Sequence, residues 1–275
     1  MPRSLTGERF SVATLDGLEL AAEHHGDRAG PEILLVHGLG QSRLSWSRQT
    51  QGVLAETCHL VTYDLRGHGD SSKPASVDAY ADPALWAADL AAVIEAAGLR
   101  RPTLVGWSLG ALVTGHYLTR YGHGHLAGVN LVGAVTQLAF ELLGPSALAH
   151  AEPLASPDLA TRSDAIASFL ASCFSTLPPE GDFRRMLVFN GMVPREVQQG
   201  VVRIGHEGLD AAWAAVPRLL ATWGDEDQHV RREMSSRILE MNPDARLSVY
   251  RGAAHAPFYE CPERFNRELA AFAAA

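Results

Sequence analysis

One serine of this 275-residue chain lies where a strand-forming run meets a helix-forming run, in Gly106-Trp107-Ser108-Leu109-Gly110. A serine at such a turn is either an ordinary helix N-cap or a nucleophile on a strained backbone, with flanking glycines that relieve crowding. As a nucleophile, it would stand above the carboxyl edge of the sheet, where open α/β sheets bind ligands. The backbone amide of Leu109, in the first helical turn, would point the same way and could donate to an oxyanion.

A serine hydroxyl needs a base to take its proton, and the sequence offers a histidine at a suitable place. His255, in "RGAAHAPFYECPERF", follows the last predicted strand and precedes the final helix. An imidazole in this role needs an acidic partner, and "ATWGDEDQHV" places Asp225 and Asp227 just after the preceding strand. Because these loops leave the same edge of a parallel sheet, we expect Ser108, His255 and one of the two aspartates to meet.

Alternating strand and helix patterns set the frame for these residues. A hairpin is predicted in "RFSVATLDGLELAAEHHG", turning at Asp16-Gly17. Further strands are predicted at 33–38, 58–64, 102–107, 126–134, 217–224 and 245–250, and helices near 43–56, 83–98, 109–121, 230–241 and 262–274. This alternation is typical of an α/β protein, with a mostly parallel sheet covered by helices on both faces. It stops at residues 136–214, which we predict to be a helical cap inserted into a core formed by 1–135 and 215–275.

Composition excludes several classes of function. The net charge of −8, without a basic stripe, argues against nucleic acid. The chain has three widely spaced cysteines, and its N-terminus lacks an apolar stretch of the length found in signal peptides. It also lacks an apolar run long enough to span a membrane. These features predict a cytoplasmic protein that does not bind membranes. The histidine pairs at 24–25 and 123/125 have no carboxylate or cysteine at ligand spacing, so no metal site is expected.

Four segments together resemble the α/β-hydrolase superfamily: "LLVHGLGQSRLSW", "VTYDLRGHGDSSKP", "VGWSLGALV" and "GAAHAPFYECPERF". The resemblance implies an eight-stranded, mostly parallel α/β-hydrolase fold with a cap after the sixth strand, and no cofactor. It favours Asp227 over Asp225 as the acid of a Ser108–Asp227–His255 triad. It also implies an oxyanion hole formed by the backbone amides of Leu39, in "HGLG", and Leu109. We expect His37 to brace this loop rather than to react.

The resemblance implies a serine hydrolase that acts on a small carboxylic ester of apolar character. Three other activities remain possible, because enzymes of this fold with the same triad perform them: carbon–carbon bond hydrolysis, lactone hydrolysis and perhydrolysis similar to that of the cofactor-free haloperoxidases. Dehalogenases and epoxide hydrolases of this fold carry an aspartate nucleophile, so the serine disfavours these two activities. A slow ligand sensor, or a cofactor-free oxygenase or lyase using His255 as base, are alternatives of another class. Aromatic residues expected at the pocket are Trp107, Phe140, Phe174 and Phe189, although core packing is an equal alternative for Trp107. The oligomeric state is left open.

Overall fold

A computed structural model describes residues 7–275. The first six residues, which include the start of the N-terminal stretch that lacks a signal-peptide pattern, lie outside the described residues. It contains a single eight-stranded sheet in this described part of the chain. The strands are β1 (Glu8–Ala13), β2 (Glu19–Gly26), β3 (Glu32–Val36), β4 (His59–Tyr63), β5 (Thr103–Trp107), β6 (Gly128–Val132), β7 (Leu219–Gly224) and β8 (Arg246–Tyr250). The eight predicted strands are therefore confirmed.

The strand order is β1-β2-β4-β3-β5-β6-β7-β8, and every neighbouring pair from β4 to β8 is parallel. β1 and β2 form the predicted antiparallel hairpin, and Gly17 at its turn has φ +80°, which glycine adopts without strain. β3, β4, β5 and β6 carry apolar runs because both of their faces are covered. The reversal of strand order around β3 and β5 opens a crevice at the carboxyl edge, where the functional loops leave.

Helices cover both faces of the sheet. They are α1 (Ser47–Thr50), α2 (Leu54–Thr57), α3 (Asp78–Ala81), α4 (Pro83–Ala96), α5 (Leu109–Tyr121), α6 (Pro145–His150), α7 (Leu159–Ser172), α8 (Glu180–Gly191), α9 (Arg195–Val201), α10 (Leu209–Ala214), α11 (Arg232–Met241), α12 (Pro257–Glu260) and α13 (Pro262–Ala274). Leu34 and Val36 of β3 pack in a core shared with α4, α5 and α10. Ile33 and Leu35 point the other way, into a core shared with α2 and α13. The predicted fold class is confirmed.

The structure differs from the predicted helices mainly at 43–56. One helix was expected there, but the chain forms a 3-10 helix at Arg43–Trp46 followed by the short α1 and α2. Gly52 separates the two α-helices, and a Cβ added there would lie 2.5 Å from the carbonyl oxygen of Arg48. The chain therefore turns too closely on itself for a continuous helix.

Between β6 and β7 the chain is helical, with α6 to α10 and 3-10 helices at Phe140–Leu142 and Pro153–Ala155. We call residues 136–214 the helical cover. Its status as a separate domain stays a prediction. In the described part of the chain no helix has the length and apolarity needed to cross a membrane.

Candidate active site

Ser108 sits in a strained turn between β5 and α5. Its φ of 54° makes it the only non-glycine residue with positive φ in residues 7–275, and its ψ is −116°. A Cβ at Gly110 would lie 2.3 Å from the carbonyl oxygen of Val36, and one at Gly106 would lie 2.7 Å from the Cα of Ala111. Both flanking positions therefore require glycine. Ser108 does not act as a side-chain N-cap of α5, which removes the ordinary explanation for a serine there.

The structure brings His255 and Asp227 together. The Nδ1 atom of His255 lies 2.8 Å from Oδ2 of Asp227, and both side chains are almost fully buried. The other carboxylate oxygen, Oδ1, accepts hydrogen bonds from the backbone amides of His229 at 2.7 Å and Val230 at 3.0 Å. Burial raises the pKa of Asp227, but the hydrogen bond and charge of His255 outweigh it, so the net pKa is lowered. The carboxylate is thus ionised and held in one orientation.

Asp225, the other candidate acid, lies elsewhere on the same turn. Its side chain is exposed, and its Oδ1 accepts a hydrogen bond from the amide of Gly252 at 2.7 Å. This bond joins the loops after β7 and β8. Asp225 therefore stabilises the loop next to His255 and makes no contact with the imidazole among the described hydrogen bonds.

The loop carrying His255 is tied to its surroundings at several points. The indole N–H of Trp107 donates to the carbonyl oxygen of His255 at 2.8 Å, which links His255 to the residue next to Ser108. The amide of His255 donates to the carbonyl of Cys173, at the end of α7, at 3.1 Å. The carboxylate of Glu260 accepts from the amide of Ala254 at 2.7 Å. The His255 backbone is thus attached to the strand before the serine and to the helical cover.

Gly133 separates the histidine from the strand that precedes the cover. It has φ +45°, and a Cβ there would lie 2.9 Å from Nδ1 of His255. The backbone on both sides of Gly133 is bonded to Ser108. The amide of Ser108 donates to the carbonyl of Val132 at 3.0 Å, and the amide of Val135 donates to the carbonyl of Ser108 at 3.3 Å. Ser108 and His255 therefore both lie next to residues 132–135.

The hydroxyl of Ser108 has no hydrogen-bond partner among the described residues, and Ser108 lines a cavity. Without substrate, hydrogen bonds of catalytic groups are often long and shorten only in the complex. Leu39 and Leu109 line the same cavity, and their backbone amides have no acceptor within residues 7–275. Two free amides beside a hydroxyl can hold an oxygen that becomes negative.

Two buried, neutral histidines brace the loop that carries Leu39. The amide of Leu65 donates to Nε2 of His37 at 3.0 Å, so Nδ1 carries the proton and donates to the carbonyl of Gly38 at 2.8 Å. His68 accepts in the same way from the amide of Gly40, at 3.2 Å. Burial lowers the pKa of each imidazole to about 3, so both stay neutral at physiological pH. His37 has the bracing contacts expected from the sequence.

The helical cover also reaches this loop. A Cβ at Gly40, where φ is +75°, would lie 2.6 Å from Oδ1 of Asn190 in α8. The Asn190 amide in turn donates to the carbonyl of Met186 at 2.9 Å, which fixes its orientation. Gly40 must therefore be glycine both for its backbone and for the side chain of the cover packed against it.

The cavity beside Ser108 has a volume of about 120 Å³ and an almost wholly apolar wall. Its polar side chains are Ser108, Gln198 and His229. The apolar members are Leu39, Leu109, Val135, Leu138, Leu143, Ala147, Ala151, Leu154, Phe169, Val201, Val202 and Val230. No charged residue is part of this wall. In the described part of the chain no group of three or more His, Cys, Asp or Glu side chains is arranged to hold a metal.

The four aromatic residues predicted for the pocket lie outside this wall. Trp107 is buried in the core against Phe258, with ring centroids 4.8 Å apart, and Phe189 is buried in the same core. Phe174 packs against Tyr259, at 5.5 Å between centroids, and Phe140 is 79% exposed. The aromatic side chain that lines the cavity is Phe169, so the sequence-based choice is corrected to this residue.

His229 is a site residue that the sequence analysis did not single out. Its ring packs against that of His255, with centroids 4.7 Å apart, and against Phe169 at 4.8 Å. The hydroxyl of Ser172 donates to the carbonyl of Phe169, so it accepts from Nε2 of His229 at 2.9 Å. Burial lowers the pKa of His229 to about 3, which leaves a neutral ring with an unprotonated Nδ1. Its place two residues after Asp227 in "GDEDQHV" was the available signal.

The chain is similar to known proteins in both sequence and structure. Residues 33–268 match the family model described as the Alpha/beta hydrolase family. The structure of a provisionally named aryl esterase from Burkholderia cenocepacia is 37% identical with a TM-score of 0.92, over 96% of this chain and 97% of that one. The esterase RhEst1 from Rhodococcus sp. ECU1013 is 30% identical with a TM-score of 0.87, over 98% and 99%. A non-heme chloroperoxidase of Streptomyces lividans is 28% identical, over 95% and 98%. The chain therefore belongs to the alpha/beta hydrolase family and is an enzyme of it.

Proposed function

We propose that this protein is a serine esterase that cleaves small carboxylic esters through Ser108, His255 and Asp227. The observation that carries the proposal is the buried 2.8 Å contact between Asp227 and His255, on a loop bonded to the residue next to Ser108. An ionised carboxylate at Nδ1 keeps Nε2 free to accept a proton. The strained serine, which caps no helix, is the group that we propose gives up that proton.

In the proposed reaction, His255 takes the hydroxyl proton as Ser108 Oγ attacks the ester carbonyl. The resulting oxyanion accepts hydrogen bonds from the amides of Leu39 and Leu109. His255 then gives the proton to the leaving alcohol, which leaves the acyl group on Ser108. A water molecule that loses its proton to His255 attacks this acyl-enzyme, and His255 returns that proton to Ser108 Oγ as the bond to the acyl group breaks and the carboxylic acid departs.

The cavity supports a small, uncharged and largely apolar acyl group. An engineered protein cavity of about 150 Å³ accommodates benzene, so about 120 Å³ suits a short alkyl chain or a single ring. The absence of charged side chains from the wall disfavours ionised substrates, because a buried charge without a partner is costly. The esterase names of the similar solved structures from Burkholderia and Rhodococcus agree with this class of substrate.

A second candidate is perhydrolysis, in which hydrogen peroxide replaces water in the attack on the acyl-enzyme and releases a peracid. Similar curated proteins are named non-heme chloroperoxidase and, over 46% of this chain, bifunctional esterase/perhydrolase. Both activities would use the same acyl-enzyme. Peracid formation from an ester and hydrogen peroxide, measured beside hydrolysis, separates them.

The first experiment measures hydrolysis of 4-nitrophenyl esters of two to eight acyl carbons by the wild type and by Ser108→Ala. We expect repeated turnover by the wild type and a loss of about 10³-fold or more in kcat/KM for the variant. A single burst without turnover would support a ligand sensor. Equal rates for both proteins would exclude Ser108 as nucleophile and favour chemistry in which His255 alone is the base.

A further inference from the structure

Gln198 is a buried polar side chain for which the proposed reaction has no use. It lies in α9, only 9% exposed, and it forms part of the cavity wall beside Ser108. Its amide makes no hydrogen bond to any residue of the described chain. Its neighbours in the wall from the same turn are Val201 and Val202, which offer no polar group.

Neither polar atom of Gln198 belongs to the fully buried side-chain atoms without a partner in the described chain, so both keep accessible surface although the residue as a whole is buried. A polar group that keeps accessible surface in a cavity wall can form hydrogen bonds with water or with a ligand that displaces the water. Gln198 has donors on Nε2 and an acceptor on Oε1, and both are available to a molecule in the cavity. A bound ligand that carries a hydrogen-bonding atom would satisfy it.

The second polar side chain in the wall complements the first. His229 donates through Nε2 to Ser172, so its unprotonated Nδ1 can only accept. Besides Ser108, the wall thus contains two polar side chains among otherwise apolar residues: Gln198, which has a donor and an acceptor, and His229, whose Nδ1 is an acceptor. This combination suits a neutral oxygen function within a short carbon chain.

We propose that Gln198 binds an oxygen atom in the acyl chain of the substrate, so that the preferred substrates are esters of short ether, hydroxy or keto acids rather than plain alkanoates. The proposal rests on the proposed esterase function. The acyl half of the ester is assigned to the cavity because about 120 Å³ holds only one half, and the acyl group is the half that stays attached to Ser108.

The test compares 4-nitrophenyl esters of equal length that differ by one oxygen in place of a methylene. Methoxyacetate is paired with butyrate, and 3-methoxypropanoate with pentanoate, and each enzymatic kcat/KM is divided by the rate constant for alkaline hydrolysis of the same ester. We expect the wild type to favour at least one ether ester by about 3- to 10-fold, as one neutral hydrogen bond allows. Gln198→Leu should abolish this preference by slowing the ether ester while leaving the alkyl ester unchanged or faster.

Two further variants separate this effect from a general one. Gln198→Glu keeps the shape but only accepts when ionised, so it should also lose the ether preference. Gln51→Leu removes an exposed glutamine and should retain the wild-type ratio. A thermal unfolding midpoint of Gln198→Leu at or above that of the wild type would fit an amide without a structural partner.

A wild type that shows no ether preference in either pair, or a Gln198→Leu variant that keeps the wild-type ratio, would overturn the inference. Ser108→Ala, assayed on the same esters, distinguishes a failure of the role proposed for Gln198 from a failure of the proposed esterase function. If it is inactive while Gln198→Leu behaves like the wild type, only the role of Gln198 fails. If it retains wild-type rates, the proposed esterase function fails as well.

Discussion

Asparagine at position 227 should inactivate the enzyme by holding His255 in the wrong tautomer. Oδ1 of Asp227 accepts from the amides of His229 and Val230, so the oxygen of an asparagine would stay there and its NH₂ would face His255. Reversing the side chain would leave two buried amides without an acceptor, at about 1–3 kcal/mol each. Nδ1 of His255 must then accept, and its proton moves to Nε2, where the base is needed unprotonated.

The size of the effect follows from these bonds. Two unsatisfied amides amount to about 2–6 kcal/mol, or roughly 30- to 3 × 10⁴-fold against the productive tautomer. The imidazolium formed during the reaction also loses its negative partner. We therefore expect kcat to fall by about 10³- to 10⁴-fold, with a small change in KM, in steady-state hydrolysis of a 4-nitrophenyl ester at pH 7.5.

The matched control is Asp225→Asn, on the same turn. Asp225 is exposed and accepts one bond from the amide of Gly252, which an asparagine oxygen can also accept. Its kcat should stay within about threefold of the wild type, since isolated exposed charges contribute little. An Asp227→Asn variant that retained a tenth of the wild-type kcat, or equal losses in the two variants, would refute the assignment of the acid.

Three other measurements test the strain at the serine, the wall of the cavity and the buried histidines. In calorimetry, the unfolding midpoint of Ser108→Gly should lie about 2–4 °C above that of Ser108→Ala. Glycine removes the backbone strain at φ 54°, and about 1 kcal/mol of this gain should remain after its greater freedom in the unfolded chain is subtracted. Equal midpoints would contradict strain at this position. Phe169→Ala should enlarge the cavity and raise the ratio of kcat/KM for octanoate to that for butyrate esters at least threefold. Phe140 is exposed, so Phe140→Ala should leave this ratio unchanged. Equal ratios in the two variants would place the acyl group elsewhere. His37 has a pKa of about 3 in the folded protein and about 6.5 in the unfolded chain, so between these values it takes up a proton only on unfolding. The free energy of unfolding, measured in urea, should therefore fall as the pH drops from about 6.5 toward 3, by up to about 1.4 kcal/mol per pH unit. His37→Gln should show a shallower slope.

The sheet and its edge were predictable because their signals are local. Strands covered on both faces must be apolar throughout, as in "ILLVHG", and glycine must flank a turn as tight as the one at Ser108. The wall of the cavity was not predictable, because it depends on which side of each cover helix turns inward. Phe169 and Phe174 are only five residues apart, yet the first lines the cavity and the second packs on Tyr259.

Gln198 illustrates the same limit for a polar residue. Its burial in the cavity wall follows from the packing of α9 over Ser108, and nothing in "PREVQQGV" separates it from the neighbouring, less buried Gln199. The alternative at 225 and 227 had a different origin: both aspartates leave the same strand end. The residues alone left both open, the family resemblance favoured Asp227, and the three-dimensional course of the loop shows that Asp227 is the carboxylate that reaches His255.

The contacts of the helical cover limit how such segments can be exchanged between relatives. Asn190 packs against Gly40, Ser172 accepts from His229, and the carbonyl of Cys173 accepts from the amide of His255. The cover thus contacts the loops of the proposed oxyanion hole, the proposed acid and the proposed base, each through a different residue. A chimera that receives a foreign segment between β6 and β7 would keep these contacts only if that segment supplied equivalent side chains for Asn190 and Ser172 and a backbone carbonyl at the place of Cys173. Recombination at these boundaries should therefore yield active enzymes only when the three contact residues travel with the segment.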